Sequence, residues 1–513
     1  MTVESLTPAI ARRGPDHLGS CEVAPLAIGT GPSLHFVAAV LHIQGDDMCR
    51  QPVSDDQGNV FLWNGEVFGA TANSFFDAPR PGSSDTSVIE AVLHKLAPMN
   101  RDEMAVALGH VHGPFAFIYF HRPTSTLYYG KDPFGRRSLL QLRNTDDGTI
   151  SALSSVSTID DLCPGWRWEE VGIEGIQAIS FNDDGSQHEA LLPWSPSRIR
   201  LGRTSFNTAS ESTYESTVAH FLHVCQNAMA KRVARLSQHS SRGKGNVGVL
   251  FSGGLDSAFL AALLHHCMKN PEDSIDLINV SFEMDNSILS PDRKASLEAL
   301  SELQTLFPTR NWRLICANID ESERVAKREK ILQLIHPSTT VMDLNIGTAF
   351  YFAARAKGFV GDEPVESECR VLIVGIGADE QMAGYGRHRA RGDNLISLQS
   401  EMNVDLERLW KRNLSRDCRC VSDAGKEVWL PFLDEDVVGF LQSIPVGQIA
   451  DFKGAPGFGD KKILRDAARL LGFASTADRI KRAVQFGTHI AKATNRDQKM
   501  SNRKGRGDTN FQR

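Results

Sequence analysis

The chain has 513 residues, a mass of 56.4 kDa, a net charge of −6 and a pI of about 6.3. It is 41% hydrophobic and 23% charged, which is typical of a globular protein and excludes a largely disordered or collagen-like chain. The acidic balance excludes a basic nucleic-acid-binding protein. No apolar run approaches the ~18 residues of a membrane helix, and the N-terminus lacks the apolar core of a secretory signal. We therefore expect a cytoplasmic protein with neither a nucleic-acid nor a membrane partner.

Residues 1–195 are predicted to form an α+β domain built on a sheet. Short apolar and aromatic runs such as NVFLWNGEVFG and GPFAFIYFHRP alternate with turn-forming Gly, Pro, Asn and Asp. One clear helical pattern, SDTSVIEAVLHKLAP, begins around Asp85 and is predicted to end at Pro98.

The pattern changes after a segment rich in Pro, Ser and Thr, for which we predict a linker over residues 196–211. Residues 212–490 alternate long helical patterns with the buried strands VGVLF, DLINVSF and RVLIV. This alternation predicts βαβ units around a parallel sheet, that is, an α/β domain. Residues 491–513 are polar and basic and are predicted to form a frayed tail.

The strongest local signal is the loop Ser252–Ser257, SGGLDS, between the strand VGVLF and an apolar helix. Gly253 and Gly254 let the backbone wrap closely around an anion, towards which the loop amides and the helix N-terminus point. Asp256 would repel a bare phosphate, so it is predicted to hold a Mg²⁺ ion shared with phosphates. The alternative is a glycine-rich turn that only opens a core helix.

A second loop, GIGADEQMAGYG, follows the strand RVLIV and is expected at the same edge of the sheet. Asp379 and Glu380 in this loop are candidate partners for Mg²⁺ or ammonia; the alternative is an acidic pair that favours a helix start. Lys461 and Arg465, four residues apart, are predicted to share one helix face that either reaches an anionic ligand or is simply solvated.

The string SGGLDS after a strand resembles the PP-loop of the ATP-pyrophosphatases. From Arg12 to about Lys492 the chain resembles the asparagine synthetase family, and most closely its branch of asparagine synthetase domain-containing proteins. The resemblance rests on motifs that occur in one order along the chain: RRGPD, WNGEVFG, DPFGRRSLL, SGGLDS, SPDRKA, GIGADEQMAGYGRHR, LPFLDE, DKKILR and KRAVQFG.

The resemblance implies an Ntn-hydrolase-like N-terminal domain of the class II glutamine amidotransferase type. It is followed by a PP-loop ATP-pyrophosphatase-like synthetase domain. The implied activity is an amide ligase of asparagine biosynthesis, which adenylates aspartate with ATP and Mg²⁺ and releases pyrophosphate. Ammonia from glutamine then converts the activated acid to asparagine. The substrates would be ATP, aspartate, and glutamine or ammonia; a homodimer is left open.

The family's functional residues match positions of this chain in both halves. Arg13 resembles the arginine that pairs with the glutamine carboxylate, Asn64 and Gly65 resemble the oxyanion hole, and Glu66 and Asp85 resemble the residues that hold the substrate amino group and backbone. In the second half, Phe251, Val280, Val374 and Gly375 fall where the family contacts ATP. Ser252, Gly253, Gly254, Asp256 and Ser257 form the PP-loop. Lys461 resembles the lysine beside the pyrophosphate.

The sequence departs from the family at three places. The family's nucleophile is an N-terminal Cys, whereas this chain has Thr2, and RRGPD follows too soon for Thr2 to take that place. Either coding sequence lies upstream or this half lacks glutaminase activity. Ile376 stands where synthetases have a Glu, and Asn345 aligns with an Arg that binds the aspartate carboxylate.

The sequence leaves three functional hypotheses open. The first is a ligase of the asparagine synthetase type, which uses glutamine-derived or free ammonia. The second is an adenylating ligase for another carboxylate, and the third is a non-catalytic nucleotide-binding or regulatory protein. SGGLDS, Asp379 and Lys461 favour the use of ATP, whereas Ile376, Asn345 and the missing Cys favour altered or lost activity.

Overall fold

The computed structural model describes residues 3–24, 33–71, 84–96, 101–159, 162–182, 186–196, 198–206, 212–236, 247–268, 270, 272–282, 289–454 and 457–497. Thr2, residues 207–211 of the predicted linker and residues 498–513 of the predicted tail lie outside this set. Within it, no helix combines the length and the apolar character that crossing a membrane requires.

The N-terminal half is dominated by antiparallel strands. The strands are β1 (His17–Val23), β2 (Leu34–Val40), β3 (Val53–Ser54), β4 (Val60–Gly65), β5 (Gly69–Ala70), β6 (Val111–His112), β7 (Phe115–His121), β8 (Thr126–Lys131), β9 (Leu140–Asn144), β10 (Ile150–Ser154), β11 (Trp166–Glu170), β12 (Gly175–Phe181) and β13 (Gln187–Pro193). The helices are α1 (Val3–Arg13), α2 (Asp85–Leu96) and α3 (Arg101–Gly109).

These strands form one large sheet and several smaller ones. The large sheet has the order β13-β12-β8-β7-β4-β3, and β10-β9-β11, β1-β2 and β5-β6 pair separately. Aromatic residues of β4 and β7, among them Phe61, Trp63 and Phe115, pack with α2 and α3 into one core. The predicted helix after Asp85 is α2, whereas no sequence pattern indicated α1.

The C-terminal half is a helix-covered sheet. Its strands are β14 (Val247–Leu250), β15 (Ser274–Ser281), β16 (Asn311–Asn318), β17 (Lys357–Val360), β18 (Glu363–Glu366), β19 (Val371–Ile373) and β20 (Glu427–Trp429). Its helices are α4 (Tyr214–Val233), α5 (Leu255–Cys267), α6 (Pro291–Leu306), α7 (Glu321–Ala326), α8 (Arg328–Ile335), α9 (Val341–Ala354), α10 (Ala378–Gln381), α11 (Gly386–Arg389), α12 (Leu395–Leu409), α13 (Ser415–Ser422), α14 (Glu435–Ser443), α15 (Val446–Ile449), α16 (Lys462–Leu470), α17 (Val484–Gly487) and α18 (Ile490–Asp497).

The C-terminal sheet has the order β18-β17-β16-β15-β14-β19-β20. The strands β16, β15, β14, β19 and β20 are parallel to one another. The strands β17 and β18 add an antiparallel edge beside β16. Helix α5 is buried over most of its length, with Ala258–Leu264 fully enclosed. Because β14 has β15 on one side and β19 on the other, the chain reverses its winding direction beside β14.

The segments next to the predicted domain boundaries are packed rather than free. In the predicted linker, Arg203 donates to the carbonyl oxygens of Leu441 and Ile444, and Arg198 is also buried. Helix α18 runs beyond residue 490, where the sequence predicts a tail, because buried Thr494 donates a 2.7 Å hydrogen bond to Asn345 Oδ1 of α9. The polar residues of both segments gave no indication of these buried contacts in the sequence.

Candidate functional site

The two candidate loops of the C-terminal half lie side by side at the sheet edge. One follows β14 and the other follows β19, and these strands are hydrogen-bonded neighbours. A Cβ atom on Gly375 would lie 2.9 Å from Cβ of Asp256, so the loops almost touch. A doubly wound sheet places its ligand crevice at this position, outside the carboxyl ends of the strands where the winding reverses.

The loop after β14 is held in a tight conformation by a neighbouring helix. Gly253 has φ +72°, and a Cβ there would lie 2.2 Å from the backbone of Ala295 and Ser296 in α6. Gly254 caps α5 in extended conformation, and its amide donates to Ser252 Oγ at 3.3 Å. The helix therefore begins at Leu255, so that Asp256 and Ser257 belong to its first turn.

Lys461 joins the two loops. Its Nζ donates to both carboxylate oxygens of Asp256 at 2.7 and 2.6 Å, and it lies 2.7 Å from Asp379 Oδ1. Lys461 is only 1% exposed and has φ +54°, and it precedes α16 as its N-cap. The structure thus brings together Asp256, Asp379 and Lys461, which the sequence singled out as catalytic candidates.

Opposite charges favour the ionised forms of Lys461 and Asp379 despite their burial. Burial alone would lower the pKa of Lys461, but Asp256 and Asp379 raise it above its ordinary value. Burial alone would raise the pKa of Asp379, but Lys461 and a second cation, Lys481, hold it well below its ordinary value. For Asp256 burial prevails over Lys461 and raises the pKa.

Lys481 is a site residue for which the sequence analysis proposed no role. Its Nζ lies 2.8 Å from Asp379 Oδ2 and 4.2 Å from the ring centre of Tyr385. Two residues earlier, Arg479 donates to the carbonyl oxygen of Gly253, so one short segment contacts both loops. The basic residues of RIKR, at positions 479–482, were the available signal in the sequence. They do not reveal that Lys481 contacts Asp379, which lies about a hundred residues earlier.

These groups surround a first cavity of about 450 Å³. Of the predicted nucleotide-binding residues, those that line it are Phe251, Ser252, Gly254, Asp256, Ser257, Val280, Val374 and Gly375. Asp379 and Lys461 line it too. Gly253 does not line the cavity and instead packs against the backbone of α6. Most residues that the family resemblance assigns to nucleotide binding therefore lie around this one cavity.

Two further candidates turn out to have internal partners. Glu380 accepts a 2.5 Å hydrogen bond from Tyr385 and a 3.1 Å bond from the amide of Gly377, so it holds its own loop together. Arg465 donates to Asp460 and to the carbonyl oxygens of Ala477 and Arg479. Because Arg465 and Lys461 are both buried, the alternative of a solvated helix face is wrong.

The two positions that depart from the synthetases differ in location. Ile376 lines the first cavity, where it adds an apolar wall beside Met342 and Ile346. Asn345 is buried and accepts a hydrogen bond from Thr494, and it does not line the cavity. Only Ile376 is therefore placed to contact a molecule in this cavity.

A second cavity, of about 920 Å³, lies in the N-terminal half. It is lined by all five residues that the sequence assigned to glutamine binding: Arg13, Asn64, Gly65, Glu66 and Asp85. Gly65 allows β4 to approach β7 closely, since a Cβ would lie 2.6 Å from Cβ of Phe115. Arg13 extends to the other half, where its Nη2 lies 3.7 Å from Cys418 Sγ in α13.

Two buried carboxyl groups of this cavity are adjacent. Burial raises the pKa of Glu66 to about 8, with a further contribution from Asp85 and opposition from Arg137. Burial likewise raises the pKa of Asp85 to about 6, although hydrogen bonds from Trp63 Nε1 and the Thr86 amide favour its ionised form. Burial, and for Glu66 the neighbouring Asp85, therefore disfavour the ionised forms of these two carboxyl groups.

The fold and its two cavities define a two-domain protein, an amidotransferase-type sheet domain joined to a synthetase-type α/β domain. Residues 38–160 match the family model of the glutamine amidotransferase domain, and residues 233–396 match that of asparagine synthase. The N-terminal domain thus has the Ntn-hydrolase-like fold that the sequence predicted.

Similar proteins cover almost the whole chain. The asparagine synthetase domain-containing protein 1 of Bos taurus is 32% identical and covers 98% of this chain and 95% of its own. The human protein of that name is 31% identical over 92% of this chain and 90% of its own. An asparagine synthetase domain-containing protein of Saccharomyces cerevisiae is 28% identical over 95% and 89%. The chain belongs to the family of asparagine synthetase domain-containing proteins.

Proposed function

We propose that this chain is an ATP-dependent amide ligase that adenylates a carboxylic acid in the first cavity and amidates it with ammonia. The observation that carries the proposal is the junction of Asp256, Asp379 and Lys461 between two glycine-containing loops at the strand ends. Two carboxylates fit a Mg²⁺ ion, which binds proteins through one or two carboxylates and takes its other ligands from substrate phosphates. When bound, Mg²⁺ would neutralise phosphate charge.

In this proposal, the amides of the loop Ser252–Ser257 and the first turn of α5 bind the outer two phosphates of ATP. Asp256 and Asp379 would hold the Mg²⁺ ion, and Lys461 and Lys481, which lie against these carboxylates, would offer positive charge to the phosphates. The substrate carboxylate oxygen attacks the α-phosphorus, the bond from the α-phosphorus to the bridging oxygen breaks, and pyrophosphate leaves with that oxygen. Positive charge at the departing oxygens lowers the barrier.

The second step exchanges AMP for ammonia. The nitrogen lone pair attacks the carbonyl carbon of the acyl-adenylate, the bond between that carbon and the phosphate oxygen breaks, and the nitrogen loses a proton. Free ammonia is mostly protonated in water, so an enclosed site preserves the reactive form. We propose that the ammonia comes from glutamine or from free ammonium, and that the second cavity, with Arg13, Asn64, Gly65, Glu66 and Asp85, binds glutamine.

Ile376 favours a second candidate, a ligase for an acid other than aspartate. An isoleucine side chain cannot ionise or form hydrogen bonds, so the cavity wall beside it offers apolar contact where a synthetase offers a carboxylate. In this variant the loops and the two steps are the same, and only the acid differs.

The test measures pyrophosphate and AMP released from ATP with Mg²⁺, ammonium and L-aspartate, and then with a panel of other amino acids and dicarboxylic acids. We expect one AMP for each pyrophosphate, and loss of both products in Asp256→Asn and Asp379→Asn. Asp466→Asn serves as the matched control, because Asp466 accepts its hydrogen bonds from Tyr214 and Arg469 instead. Tight ATP binding without product from any acid would support a non-catalytic nucleotide-binding protein instead.

A further inference from the structure

Arg136 of the N-terminal domain reaches into the C-terminal domain. It is buried in the turn between β8 and β9, where its Nε donates to Asp132 Oδ1 at 2.9 Å and its Nη2 to the Gly113 carbonyl at 2.6 Å. Across the domain boundary, Nη1 donates to the Leu433 carbonyl at 2.7 Å and Nη2 to Glu435 Oε1 at 2.6 Å. One planar guanidinium thus fixes the position of residues 433–435 relative to the N-terminal domain.

Residues 430–435 support the loop of Asp379 on their other side. Gln381 Nε2 donates to the Phe432 carbonyl at 2.6 Å. A Cβ atom on Gly377 would lie 2.6 Å from Leu433 Cδ2, so loop and segment are in direct contact. Asp379 stands between Gly377 and Gln381, the two residues that make these contacts.

The charges at this junction balance and are enclosed. Arg136 and Arg198 face Asp132 and Glu435, with Arg198 Nη2 at 3.3 Å from Glu435 Oε1. All four side chains are buried. Because an unpaired buried charge is strongly unfavourable, this network permits few alternative arrangements. The junction is therefore suited to transmit a fixed position from one domain to the other.

We propose that Arg136 is a positioning residue through which the N-terminal domain holds the Asp379 loop in its working geometry. The N-terminal domain then supports the ATP site as a brace, independently of any reaction in its own cavity. Where turnover is concerned, this inference rests on the proposed function. Its contacts form a continuous chain from Arg136 through Leu433 to Gly377.

The test compares Arg136→Lys with Arg198→Gln in the full chain. Lys keeps the positive charge but lacks the fork that reaches Leu433, Gly113 and Glu435 together. Arg198 is the matched control, because it contacts the same Glu435 carboxylate and the Val111 carbonyl but not Leu433. Thermal unfolding of both variants shows how far each is destabilised overall.

Hydrogen exchange of the peptide that covers residues 375–383 is the first readout and needs no turnover. We expect this peptide to exchange about tenfold faster in Arg136→Lys and within about twofold of the unmutated chain in Arg198→Gln. Equal exchange in the two variants at equal loss of stability would overturn the inference. If the unmutated chain released no pyrophosphate with any acid, the proposed function would fail, and this readout would still decide the brace.

Steady-state kinetics of pyrophosphate release provide the second readout. We expect Arg136→Lys to lower kcat about tenfold with KM for ATP nearly unchanged, because the loop is misplaced in the transition state rather than absent. A variant that moves KM alone, or a kcat that falls in both variants in proportion to their lost stability, would contradict a positioning role. In the double variant with Gln381→Leu, the change in kcat is compared with the sum of the two single changes. The departure from additivity measures the coupling directly.

Discussion

Lys461 is buried between two carboxylates, so its removal tests how much this cluster contributes to stability. Lys461→Met removes the cation that both Asp256 and Asp379 contact, while Lys481 still pairs with Asp379. Since breaking a buried ion pair by removing one partner costs about 3–5 kcal/mol, we expect a loss of that size in the free energy of unfolding. Urea unfolding measures it.

Lys481→Met is the matched control, because Lys481 is about a fifth exposed and Asp379 retains Lys461. We expect it to cost about 1 kcal/mol. Equal losses in the two variants would mean that Lys461 is not the central cation of the cluster.

Asp292 provides a prediction about pH. It lines the first cavity at the start of α6, and burial raises its pKa to about 7, with Arg482 opposing. An acid whose folded-state pKa is raised binds more protons in the folded state than in the unfolded state, so stability falls as the pH rises from about 4 to about 7. Asp292→Asn removes this loss.

We compare the free energy of unfolding of Asp292→Asn with that of the unmutated chain at each pH. We expect this difference to favour the variant by about 3 kcal/mol more at pH 8 than at pH 5. Urea unfolding at the two pH values measures the difference. The prediction fails if the variant is equally stabilised at both, since the carboxyl would then not titrate in this range.

Single residues were predictable where their role is local and less so where it depends on the fold. Asp256 is marked by the glycines that precede it, and Asp379 by the glycine-rich loop around it. Glu380 is also acidic and belongs to the same loop as Asp379, yet it accepts hydrogen bonds from Tyr385 and from the amide of Gly377. Lys481 meets Asp379 only through folding over 102 residues, which no spacing in the sequence records.

At the level of elements, the glycines of the loop after β14 have different roles. Gly253 needs its positive φ and touches the α6 backbone, whereas Gly254 has φ −73° and only Ser252 Oγ within 3.4 Å of a Cβ. We expect Gly253→Ala to cost at least about 2 kcal/mol, and Gly254→Ala to change stability by less than about 0.5 kcal/mol. Thermal unfolding compares them; a tolerated Gly253→Ala would contradict the packing of this loop on α6.

Strand β14 and helix α5 illustrate how much of the element pattern the sequence carries. A short apolar run, two glycines and a long apolar run predict the strand, the loop and the buried helix in that order. The helix begins at Leu255, because the extended Gly254 serves as its cap. By contrast, Lys461 was predicted on a helix face but lies just before α16 with positive φ, a position that the pattern of neighbouring residues does not indicate.

At the scale of the whole molecule, buried ion pairs join the two domains. Glu170 of β11 contacts Lys131 Nζ at 3.2 Å and Arg419 Nη1 of α13 at 2.8 Å, and all three side chains are buried. Glu170→Gln removes the carboxylate that both buried cations contact, so we expect a loss of about 3–5 kcal/mol in a calorimetric unfolding transition. The control is Glu189→Gln, whose exposed pair with Arg143 is worth less than about 1 kcal/mol.

If the two variants unfolded at the same temperature, the domain interface would not depend on this network. The domain classes and their order followed from the sequence, because each motif marks a local element. The interface did not, since Arg136, Glu170 and Arg419 belong to separate motifs and meet only in the folded chain. The packed Arg203 in the predicted linker is a further case, because a segment rich in Pro, Ser and Thr indicated only a connection between domains.

The most direct measurement is a crystal structure with Mg²⁺ and an ATP analogue whose α and β phosphates are joined by a methylene group, which prevents cleavage. We predict that the outer phosphates lie against the loop Ser252–Ser257, with the metal at Asp256 and Asp379 and with Lys461 and Lys481 turned to the phosphates. Density for the analogue in another place, with this loop unchanged and both lysines still bound to the carboxylates, would contradict the proposed ligase.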